Sequence, residues 1–345
     1  MSLTTRARRG LAGTLATALA ASGLLALASP SQADPDGATP VTNASLTWNL
    51  NDEQGGGAFN GSCNFLSAGK AANTGGSREW TKTEYTPIAG NVRFVENNVE
   101  MAFPDATWDT VTREVGPALT LSDPVTGQVG IYTSIMQNDT PGFLAIRLKV
   151  QNRRIVEIEH IISTKRNLSG PPTPIGDVET FRHQPHINQA VPREKCRPRA
   201  EMIRLANGYF STLEKNDGEI RGTRFSPTAT RHENGMAFPE IEKGFKSGRY
   251  RFNERVRDRD LFLVDEYRCV VMARGFIDHK GVLDAYELTD GTKARSIFRE
   301  PHSWALLEMF KLEDGMITAV EATFIGAPYY MRSPYTKNPD PVQRR

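Results

Sequence analysis

Two glutamates near the C-terminal end of the chain have the type and spacing for acid–base chemistry. Glu308 and Glu321 lie in WALLEMFKLEDGMITAVEATF, residues 304–324, where apolar runs around an Asp-Gly pair predict a β-hairpin. If the turn contains only Asp-Gly, the two carboxyl groups face each other on an apolar wall, and repulsion and burial should raise one pKa. Such a pair suits general acid–base catalysis. If the turn spans 313–315, the register shifts by one and the glutamates lie on opposite faces; the sequence leaves both registers open.

Other polar candidates lie at predicted turns and strand ends of the same region. FIDHKG, residues 276–281, ends an apolar strand, and its Asp278 and His279 could form a base oriented by a carboxylate. A turn-capping Asp beside an exposed His is the simpler alternative. With the two glutamates, Asp278 and His279 are the predicted catalytic residues. The predicted ligand-binding residues are Glu233 in RHENG, His302 at the start of the hairpin, Phe310 near Glu308, and Tyr329.

The hairpin sequence occurs twice in the chain. LKVQNRRIVEIEHII, residues 148–162, has the same order of apolar, basic and acidic positions, and its Glu159 corresponds to Glu321. Two further segments match in the same order: VENN with HENG (Glu96 with Glu233), and SDPVTGQVGIY with VDEYRCVVMAR (Asp123 with Asp265). The three matches predict an internal duplication. In the first copy Ile146 occupies the position of Glu308, so only the second copy can hold a pair of glutamates.

One predicted helix distinguishes the two copies. PRAEMIRLANGYFSTLEKND, residues 198–217, has apolar residues three and four apart and therefore predicts an amphipathic helix. The corresponding place before the first copy holds a Gly-rich segment, residues 44–91, which predicts short strands and loops. We therefore expect the first copy to lack its leading helix and to leave Ile146, Leu148 and Ile155 uncovered.

Composition and the N-terminal sequence limit the classes of protein to which the chain can belong. The chain has 345 residues and a net charge of +2, without the basic excess typical of nucleic-acid-binding proteins. Three arginines among the first nine residues precede an apolar run at 11–28 and a small-residue site ending at Ala33. This pattern predicts a signal peptide that is cleaved after Ala33, and hence a secreted or extracytoplasmic protein. No other stretch is long and apolar enough to span a bilayer.

The cysteines and histidines do not predict a cofactor. Cys63, Cys196 and Cys269 permit one disulfide and one free thiol, and the sequence leaves the pairing open. No Cys-x-x-Cys or His-Glu-x-x-His spacing is present, so we predict neither a metal site nor a bound cofactor.

These features predict the following organisation: a signal peptide (1–33), a flexible leader (34–43), a Gly-rich segment of strands and loops (44–91), a first, incomplete repeat (92–162), a linker (163–189), a second repeat (190–335) and a C-terminal tail (336–345).

Residues 193–334 resemble an uncharacterised exported family whose halves are similar to the nuclear transport factor two-like cone. The motifs that carry the resemblance are RHENG (231–235), VDEYRCVVMARGFIDHKG (264–281), PHSWALLEMFKLEDGMITAVEATF (301–324) and APYYMRSPY (327–335), and VRFVENN, DPVTGQVG and RLKVQNRRIVEIE resemble the family's first half. The resemblance implies an α+β fold of two cone-like repeats, with helices packed on a strongly curved, mostly antiparallel sheet. The superfamily includes ketosteroid isomerases and polyketide cyclases as well as non-catalytic members, so it implies a pocket and not a reaction.

The Gly-rich segment has a different resemblance. Residues 44–91 look like the start of a haem-transport-associated domain of actinobacterial surface proteins. Only a fragment of that domain is present, so no haem ligand is assigned, and Tyr85 is more simply a packing residue.

Two classes of function stay open from the sequence. The first is a cofactor-free lyase, isomerase, dehydratase or cyclase that acts on a small apolar or aromatic molecule inside the second repeat. The second is a non-catalytic protein that binds a small ligand or serves as an interaction module. An enzyme needs at least two titratable groups that converge on one point, whereas a binder needs apolar walls and one or two polar anchors. We expect neither nucleic acid nor a membrane as partner, and we expect the outer face of the second sheet to be available for oligomerisation.

Overall fold

The computed structural model of the protein describes the backbone of strands at 45–48, 65–68 and 83–86, and all of residues 88–165, 174–337 and 339–340. The predicted signal peptide and leader lie outside the described residues, as do Cys63 and the side chain of Tyr85. Three short strands, β1 (Ser45–Trp48), β2 (Phe65–Ala68) and β3 (Thr83–Thr86), form an antiparallel sheet within the Gly-rich segment.

Two larger curved sheets make up most of the described chain, which is a mixed α+β protein with few helices. The first sheet contains β4 (Ile88–Glu96), β5 (Val99–Met101), β6 (Val111–Glu114), β7 (Leu119–Asp123), β8 (Gln128–Gln137), β9 (Thr140–Gln151) and β10 (Arg154–Thr164), with the short helix α1 (Thr107–Thr110). The second contains β11 (Phe225–Glu233), β12 (Met236–Phe238), β13 (Arg255–Asp265), β14 (Val270–His279), β17 (His302–Glu313) and β18 (Met316–Ala327). Helices α2 (Arg199–Glu214) and α3 (Ile241–Lys246) accompany the second sheet, and β15 (Ala285–Glu287) pairs with β16 (Lys293–Arg295).

Helix α2 covers one face of the second sheet, here called its inner face. The helix begins after Pro198, whose fixed φ suits a helix start, and it ends within three residues of the predicted boundary. Its apolar stripe is buried, and the rings of Tyr209 and Phe210 lie 5.0 and 5.4 Å from the ring of Phe310 on β17. The predicted helix is therefore present, and its packing defines the inner face.

The two large sheets have the same strand order, β5-β4-β10-β9-β8 in the first and β12-β11-β18-β17-β14 in the second. Matched side chains make matched hydrogen bonds. The Asn97 side-chain oxygen accepts from the Ile162 amide at 3.0 Å, and that of Asn234 accepts from the Phe324 amide at 2.9 Å. In both sheets an Asn after a Glu thus holds the hairpin strand, as the sequence match between these segments predicts.

Two aspartates link the sheets reciprocally. Asp123, at the end of β7, accepts a hydrogen bond from the Val264 amide of the second sheet at 2.9 Å. Asp265, its counterpart at the end of β13, accepts one from the Ser122 amide of the first sheet at 3.2 Å. The paired contacts relate the halves by an approximate two-fold rotation, since each Asp accepts a hydrogen bond from the strand that carries the other Asp.

The outer faces of the two sheets pack against each other. This contact buries Leu119, Leu121, Tyr132, Ala145 and Ile161 of the first sheet, and Leu263, Val270, Met272, Phe276, Ala305, Leu307, Met309, Ala319 and Ile325 of the second. At the closest approach, a Cβ on Gly130 would lie 2.3 Å from the Met272 sulfur, so only glycine fits there without displacement. The expectation that the outer face of the second sheet is available for oligomerisation is wrong, because the first sheet occupies it.

The first sheet also has a covered inner face, contrary to expectation. Ile146, Leu148 and Ile155 are fully buried in a cluster that includes Trp108. The ring of Phe103 lies 4.4 Å from that of Trp108, because the segment between β5 and β6 folds over this face. Although no helix like α2 precedes the first sheet, these aliphatic side chains are therefore not exposed to solvent.

A buried ion cluster lies within the contact between the sheets. Glu159 of the first sheet is fully buried, and its carboxylate lies 2.7 Å from the Arg147 guanidinium and 2.6 Å from that of Arg274 on the second sheet. Burial pushes the pKa of Glu159 upward, but Arg274 and then Arg147 outweigh it and hold the pKa below its usual value. Ser333 donates to the other carboxylate oxygen at 3.2 Å, so the segment after β18 joins the same cluster.

One disulfide links the segment before α2 to the second sheet. Cys196 and Cys269, the latter immediately before β14, are bonded with a Cα–Cα distance of 5.8 Å and a separation of 73 residues. The sequence left this pairing open. The bond fastens the start of α2 to the edge of the inner face that the helix covers.

We predict that replacing both bonded cysteines, C196S with C269S, lowers the free energy of unfolding by roughly 2–4 kcal/mol, because a long loop in the unfolded chain is released. Urea unfolding of the double variant and the parent, both non-reduced, measures the difference. Equal midpoints would contradict a structural role for the bond.

We predict that Glu159→Gln lowers the free energy of unfolding by about 3–5 kcal/mol, because two buried guanidinium groups lose their shared counter-charge. Glu157→Gln is the matched control, since Glu157 pairs with the same Arg147 but is 30% exposed, and its loss should be below about 1 kcal/mol. Urea unfolding of both variants measures the effect. A Glu159→Gln loss no larger than that of the control would show that the cluster is dispensable.

Candidate functional site

The β17–β18 hairpin separates the two candidate glutamates. Its turn contains only Asp314 and Gly315, both with positive φ, as in a type I′ turn. A bulge after the turn then shifts the register by one residue, so that Glu308 lies opposite Ala322 and Glu321 lies opposite Met309. The predicted facing pair of glutamates is therefore wrong, because the two carboxyl groups point to opposite faces of the sheet.

The first sheet contains the same bulge. The β9–β10 hairpin also turns through two residues and shifts register between Ile155 and Glu157, at the position that matches the shift in the second sheet. Neither register considered from the sequence combines a two-residue turn with this extra residue. The bulge is thus part of the duplicated fold, and it determines which face each glutamate occupies.

Glu308 lies in the middle of the inner face of the second sheet. Its side chain is 3% exposed and lies between the rows of Leu306 and Phe310, both of which belong to the core under α2. The residues opposite it on the neighbouring strands are small, Ala273 on β14 and Ala322 on β18. The carboxyl group is therefore surrounded by apolar side chains, with room left by its alanine neighbours.

A chain of polar side chains leads from Glu308 toward solvent. The hydroxyl of Tyr209, on α2, lies near the Glu308 carboxyl group and acts to lower its pKa. Arg231 on β11 donates to the Tyr209 hydroxyl at 3.0 Å and to the Tyr250 hydroxyl at 2.8 Å. Its Nε lies 2.7 Å from the Glu233 carboxylate, which is 22% exposed. The cluster of Glu308, Tyr209, Arg231, Tyr250 and Glu233, here called the inner polar cluster, brings together five groups on one side of the sheet.

The inner polar cluster contains a strongly perturbed carboxyl group. Burial raises the pKa of Glu308 to about 8, while Arg231 opposes the shift, Glu233 adds to it and the nearby Tyr209 hydroxyl opposes it. Burial also raises the pKa of Tyr209 well above its usual value. Near neutral pH the Glu308 carboxyl is therefore mostly protonated and can donate a hydrogen bond or a proton.

His279 and His302 form a separate group at the far end of the inner face. They lie opposite each other on β14 and β17, with ring centroids 4.7 Å apart, and Phe298 stacks on His279 at 3.9 Å. His302 is six residues from Glu308 along β17, roughly 20 Å at about 3.3 Å per residue. The predicted catalytic histidine and Glu308 therefore do not share one site.

The two histidines are part of the packed interior. Burial lowers the pKa of His279 to about 3, and His302 lowers it further, so the ring is neutral near pH 7. Burial also lowers the pKa of His302. The alternative of an exposed histidine beside a turn is wrong, since both rings are almost fully buried.

Asp278 and Tyr329 lie on the outer side of the second sheet. Asp278 accepts from Arg255 and from Arg257 at 2.8 Å each and from the Ser303 hydroxyl at 2.6 Å. Tyr329 donates to the Glu254 carboxylate at 2.8 Å. Both residues thus belong to an ion network that fastens the segment after β18, and neither contacts the inner polar cluster.

The structure sorts the predicted site residues by face. Glu308, Glu233 and Phe310 come together under α2, while Glu321 lies on the outer face beside His183 of the linker, 2.6 Å from its Nδ1. Sequence reasoning missed Tyr209, which it placed in the apolar stripe of the helix, and Tyr250. Only the polar hydroxyl in that stripe could have indicated its contact with Glu308.

The described part of the chain contains neither a cluster of metal-binding side chains nor a helix that could span a membrane. Among residues 88–165, 174–337 and 339–340, no group of three or more His, Cys, Asp or Glu side chains has the geometry to hold a metal ion. No helix there is both long and apolar enough to cross a membrane.

Residues 195–324 match a family model described as a domain of unknown function, DUF8021. This span begins just before α2 and ends within β18, so it includes the inner polar cluster. No curated protein sequence matches the chain.

Two solved structures share limited similarity with the chain. One is a de novo designed protein with a curved β-sheet, at 15% identity over 37% of this chain and 87% of that one, with a TM-score of 0.25. The other is AclR from Streptomyces galilaeus, titled a "putative hydroxylase", at 16% identity over 39% of this chain and 82% of that one, with a TM-score of 0.26. Both similarities involve about two fifths of the chain, and neither bears on its chemistry.

We predict that Glu308→Gln flattens the dependence of stability on pH between about 4.5 and 8. The native state holds a proton on Glu308 that the unfolded state releases, so stability from this group is present below its unfolded pKa of 4.5 and is lost as the pH rises through about 8. The variant should therefore be more stable than the parent at pH 9. Urea unfolding at several pH values measures this, with Glu201→Gln on the exposed side of α2 as control. Parallel curves for the parent and Glu308→Gln would show that Glu308 titrates normally.

Proposed function

We propose that the second half of the chain binds a small apolar or aromatic molecule at the inner face of its sheet, where Glu308 serves as a general acid. The observation that carries the proposal is a carboxyl group that is buried among apolar side chains and lies beside the inner polar cluster, which extends to solvent at Glu233. A carboxylic acid kept neutral near pH 7 is suited to donate a proton to a carbonyl or hydroxyl oxygen.

The neighbouring groups have complementary roles in this proposal. After proton transfer, the Glu308 carboxylate would be stabilised by the Tyr209 hydroxyl and by the charge of Arg231, which is fixed in place by Tyr250 and Glu233. Such fixed donors stabilise a developing charge without reorganisation. The proposed reaction is therefore a cofactor-free lyase, isomerase, dehydratase or cyclase step.

The resemblance to nuclear transport factor two-like cones supports the place of the site. We propose that each half is a cone-like repeat of that kind, with the second complete. In such a fold a ligand lies between the curved sheet and its helix, which is where Glu308 is found. The support is an analogy at the level of the fold, so the choice of reaction depends on the residues themselves.

The disulfide supports the proposal that the protein is exported. Disulfides form and persist mainly in oxidising compartments, and the Cys196–Cys269 bond joins two elements of the second half. This agrees with the signal peptide that the first 33 residues predict.

One observation favours a second candidate function, a non-catalytic binding or interaction module. The inner face is densely packed with aromatic side chains, and Glu308 lines neither of two clefts found among the described residues, one beside Ile220 and one beside Phe181. If the interior does not open, the inner polar cluster serves only to hold α2 on the sheet.

We predict that the full-length protein binds 2-acetonaphthone, a neutral aromatic ketone, and accelerates exchange of its methyl protons for deuterium. The ketone oxygen should accept the Glu308 proton while a water molecule takes a methyl proton, which gives the neutral enol. The enol O–H then returns its hydrogen to the Glu308 carboxylate as the methyl carbon takes a deuteron from the solvent. Fluorescence titration measures binding, and proton NMR in deuterated buffer measures exchange. In the parent, binding should weaken about tenfold from pH 6.5 to 9, the loss of one hydrogen bond.

Glu308→Gln should remove both the exchange and the pH dependence of binding, while Glu157→Gln, outside the cluster, should change neither. Binding without exchange in the parent would favour the non-catalytic module. No binding at any pH would overturn the ligand site and leave Glu308 a residue of the packed interior.

A further inference from the structure

A long segment connects β14 to β17 at the end of the inner face where the two histidines lie. It spans residues 280–301 and contains the small β15–β16 hairpin. Its two ends meet, since a Cβ on Gly281, whose φ is +73°, would lie 2.6 Å from the backbone of Glu300. Much of the segment is in solvent, with Val282 78% and Ile297 69% exposed. The segment is therefore an excursion from the sheet on a narrow stem.

A buried aromatic ring fixes this segment to the sheet. Phe298 is 2% exposed, and its ring stacks on that of His279 at 3.9 Å and lies 4.6 Å from that of His302. The rings of Phe252 and Trp304 each lie 5.0 Å from it. Phe298 thus fills a slot formed by these four rings, here called the aromatic slot.

Other attachments of the segment are hydrogen bonds on its outer part. The Tyr286 hydroxyl donates to the Arg249 carbonyl oxygen at 2.7 Å, and the Thr289 hydroxyl donates to the Lys246 carbonyl oxygen at 2.9 Å. These bonds are exposed and compete with water, so each contributes less than the burial of a phenylalanine ring. The segment therefore stays on the sheet chiefly because Phe298 stays in the aromatic slot.

The aromatic slot has no acceptors for a charged His279. Among the described residues, neither ring nitrogen of His279 has a hydrogen-bonding partner, and neither has Nε2 of His302. The other nitrogen of His302, Nδ1, lies 3.1 Å from the carbonyl oxygen of Glu300 in the stem. An imidazolium donates from both nitrogens, so a proton on His279 would bury a charge without acceptors. The closed segment thus requires neutral rings.

The charged residues around the aromatic slot do not supply that partner. Those that flank its rings along the chain are Arg251, Glu254, Asp278, Lys280, Arg299 and Glu300. Glu254 pairs with Lys280 at 3.1 Å, and Asp278 is held by two arginines on the outer side of the sheet. Burial lowers the pKa of His302 even though the Glu300 carbonyl and the charges of Glu300 and Asp278 oppose the shift.

We propose that residues 280–301 form an acid-released lid, which the neutral His279–His302 pair holds shut and which opens when these rings are protonated. Opening withdraws Phe298 from the aromatic slot and exposes this end of the inner face, including Trp304. The lid controls access to the aromatic end of the sheet, and the proposal does not depend on proton transfer by Glu308.

The direction of the pH effect follows from proton binding. Burial lowers the pKa of His279 to about 3, His302 adds to the shift and the nearby Phe252 backbone opposes it, whereas the free side chain titrates near 6.5. The closed lid therefore binds fewer protons than the open one. Closure is favoured fully above about pH 6.5 and weakens as the pH falls below it. For His279 alone, the open population should rise roughly thirtyfold from pH 7.5 to pH 5.

The test is amide hydrogen exchange of the full-length protein at pH 7.5 and pH 5, resolved to single amides by mass spectrometry. The Thr289 amide donates to the Ser247 carbonyl oxygen at 3.1 Å and is protected while the lid is closed. A synthetic peptide of residues 280–301, measured at each pH, corrects for the chemical pH dependence of exchange. We expect the protection of Thr289 to fall roughly thirtyfold or more at pH 5, while the amides of β14 stay better protected at both pH values.

Three variants assign the effect. The double variant His279→Phe with His302→Phe keeps two aromatic rings and removes their titration, so Thr289 should be equally protected at both pH values. Phe298→Ala should leave Thr289 almost as unprotected as the free peptide at both pH values, because the lid loses its buried ring. His186→Phe, a linker histidine outside the lid, should behave like the parent.

Two results would overturn the proposal. One is a protection of Thr289 that is the same at pH 5 and pH 7.5 in the parent. The other is an equal fall in the parent and in the double histidine variant, which would assign the acid effect to other groups. If the double variant does not fold, Phe298→Ala decides with the parent, and parent-like protection of Thr289 in that variant at pH 7.5 would equally overturn the lid.

Discussion

The contact between the outer faces of the two large sheets is the constraint on which the rest of the structure depends. It buries both faces of the central strands, so that every residue of β14, Val270–His279, is buried. Such strands lose the alternation of apolar and polar residues that marks a half-exposed sheet. Polar groups at this contact are shielded from water, and Glu159, which is fully buried, is paired there with arginines from both sheets. Asp123 and Asp265 likewise each accept a hydrogen bond from a backbone amide of the opposite sheet.

The two large sheets share a strand order but carry different residues at matched positions. Where the second half has Glu308 on its inner face, the first has Ile146, which lies in an apolar cluster. Where the first half has a fully paired Glu159 on its outer face, the second has Glu321 with a histidine. Each half has thus kept the strand order while exchanging the residues at matched positions. The inner face of the second half is where a helix, a buried acid and an arginine meet.

The bulge in each hairpin adds a single residue, yet it determines which face of the sheet the candidate carboxyl groups occupy. One extra residue reverses which face every later side chain occupies. Without it Glu308 and Glu321 would face each other and repel. With it Glu308 lies under α2 among apolar residues, and Glu321 lies among the residues of the linker. The two carboxyl groups of one hairpin therefore lie on opposite faces of the sheet, which keeps them apart.

Local patterns in the sequence determined the hairpins, the amphipathic helix 198–217 and the correspondence between the two copies. These features depend on residue periodicity and turn chemistry within a few residues, which a sequence shows directly. Tertiary structure alone decided the bulge, the Cys196–Cys269 pairing and the occupant of the outer face. It also brought His183 of the linker to Glu321, and Tyr209 to Glu308. Each of these depends on contacts between residues far apart in the chain. A short-range sequence pattern does not indicate which apolar faces will pack against each other.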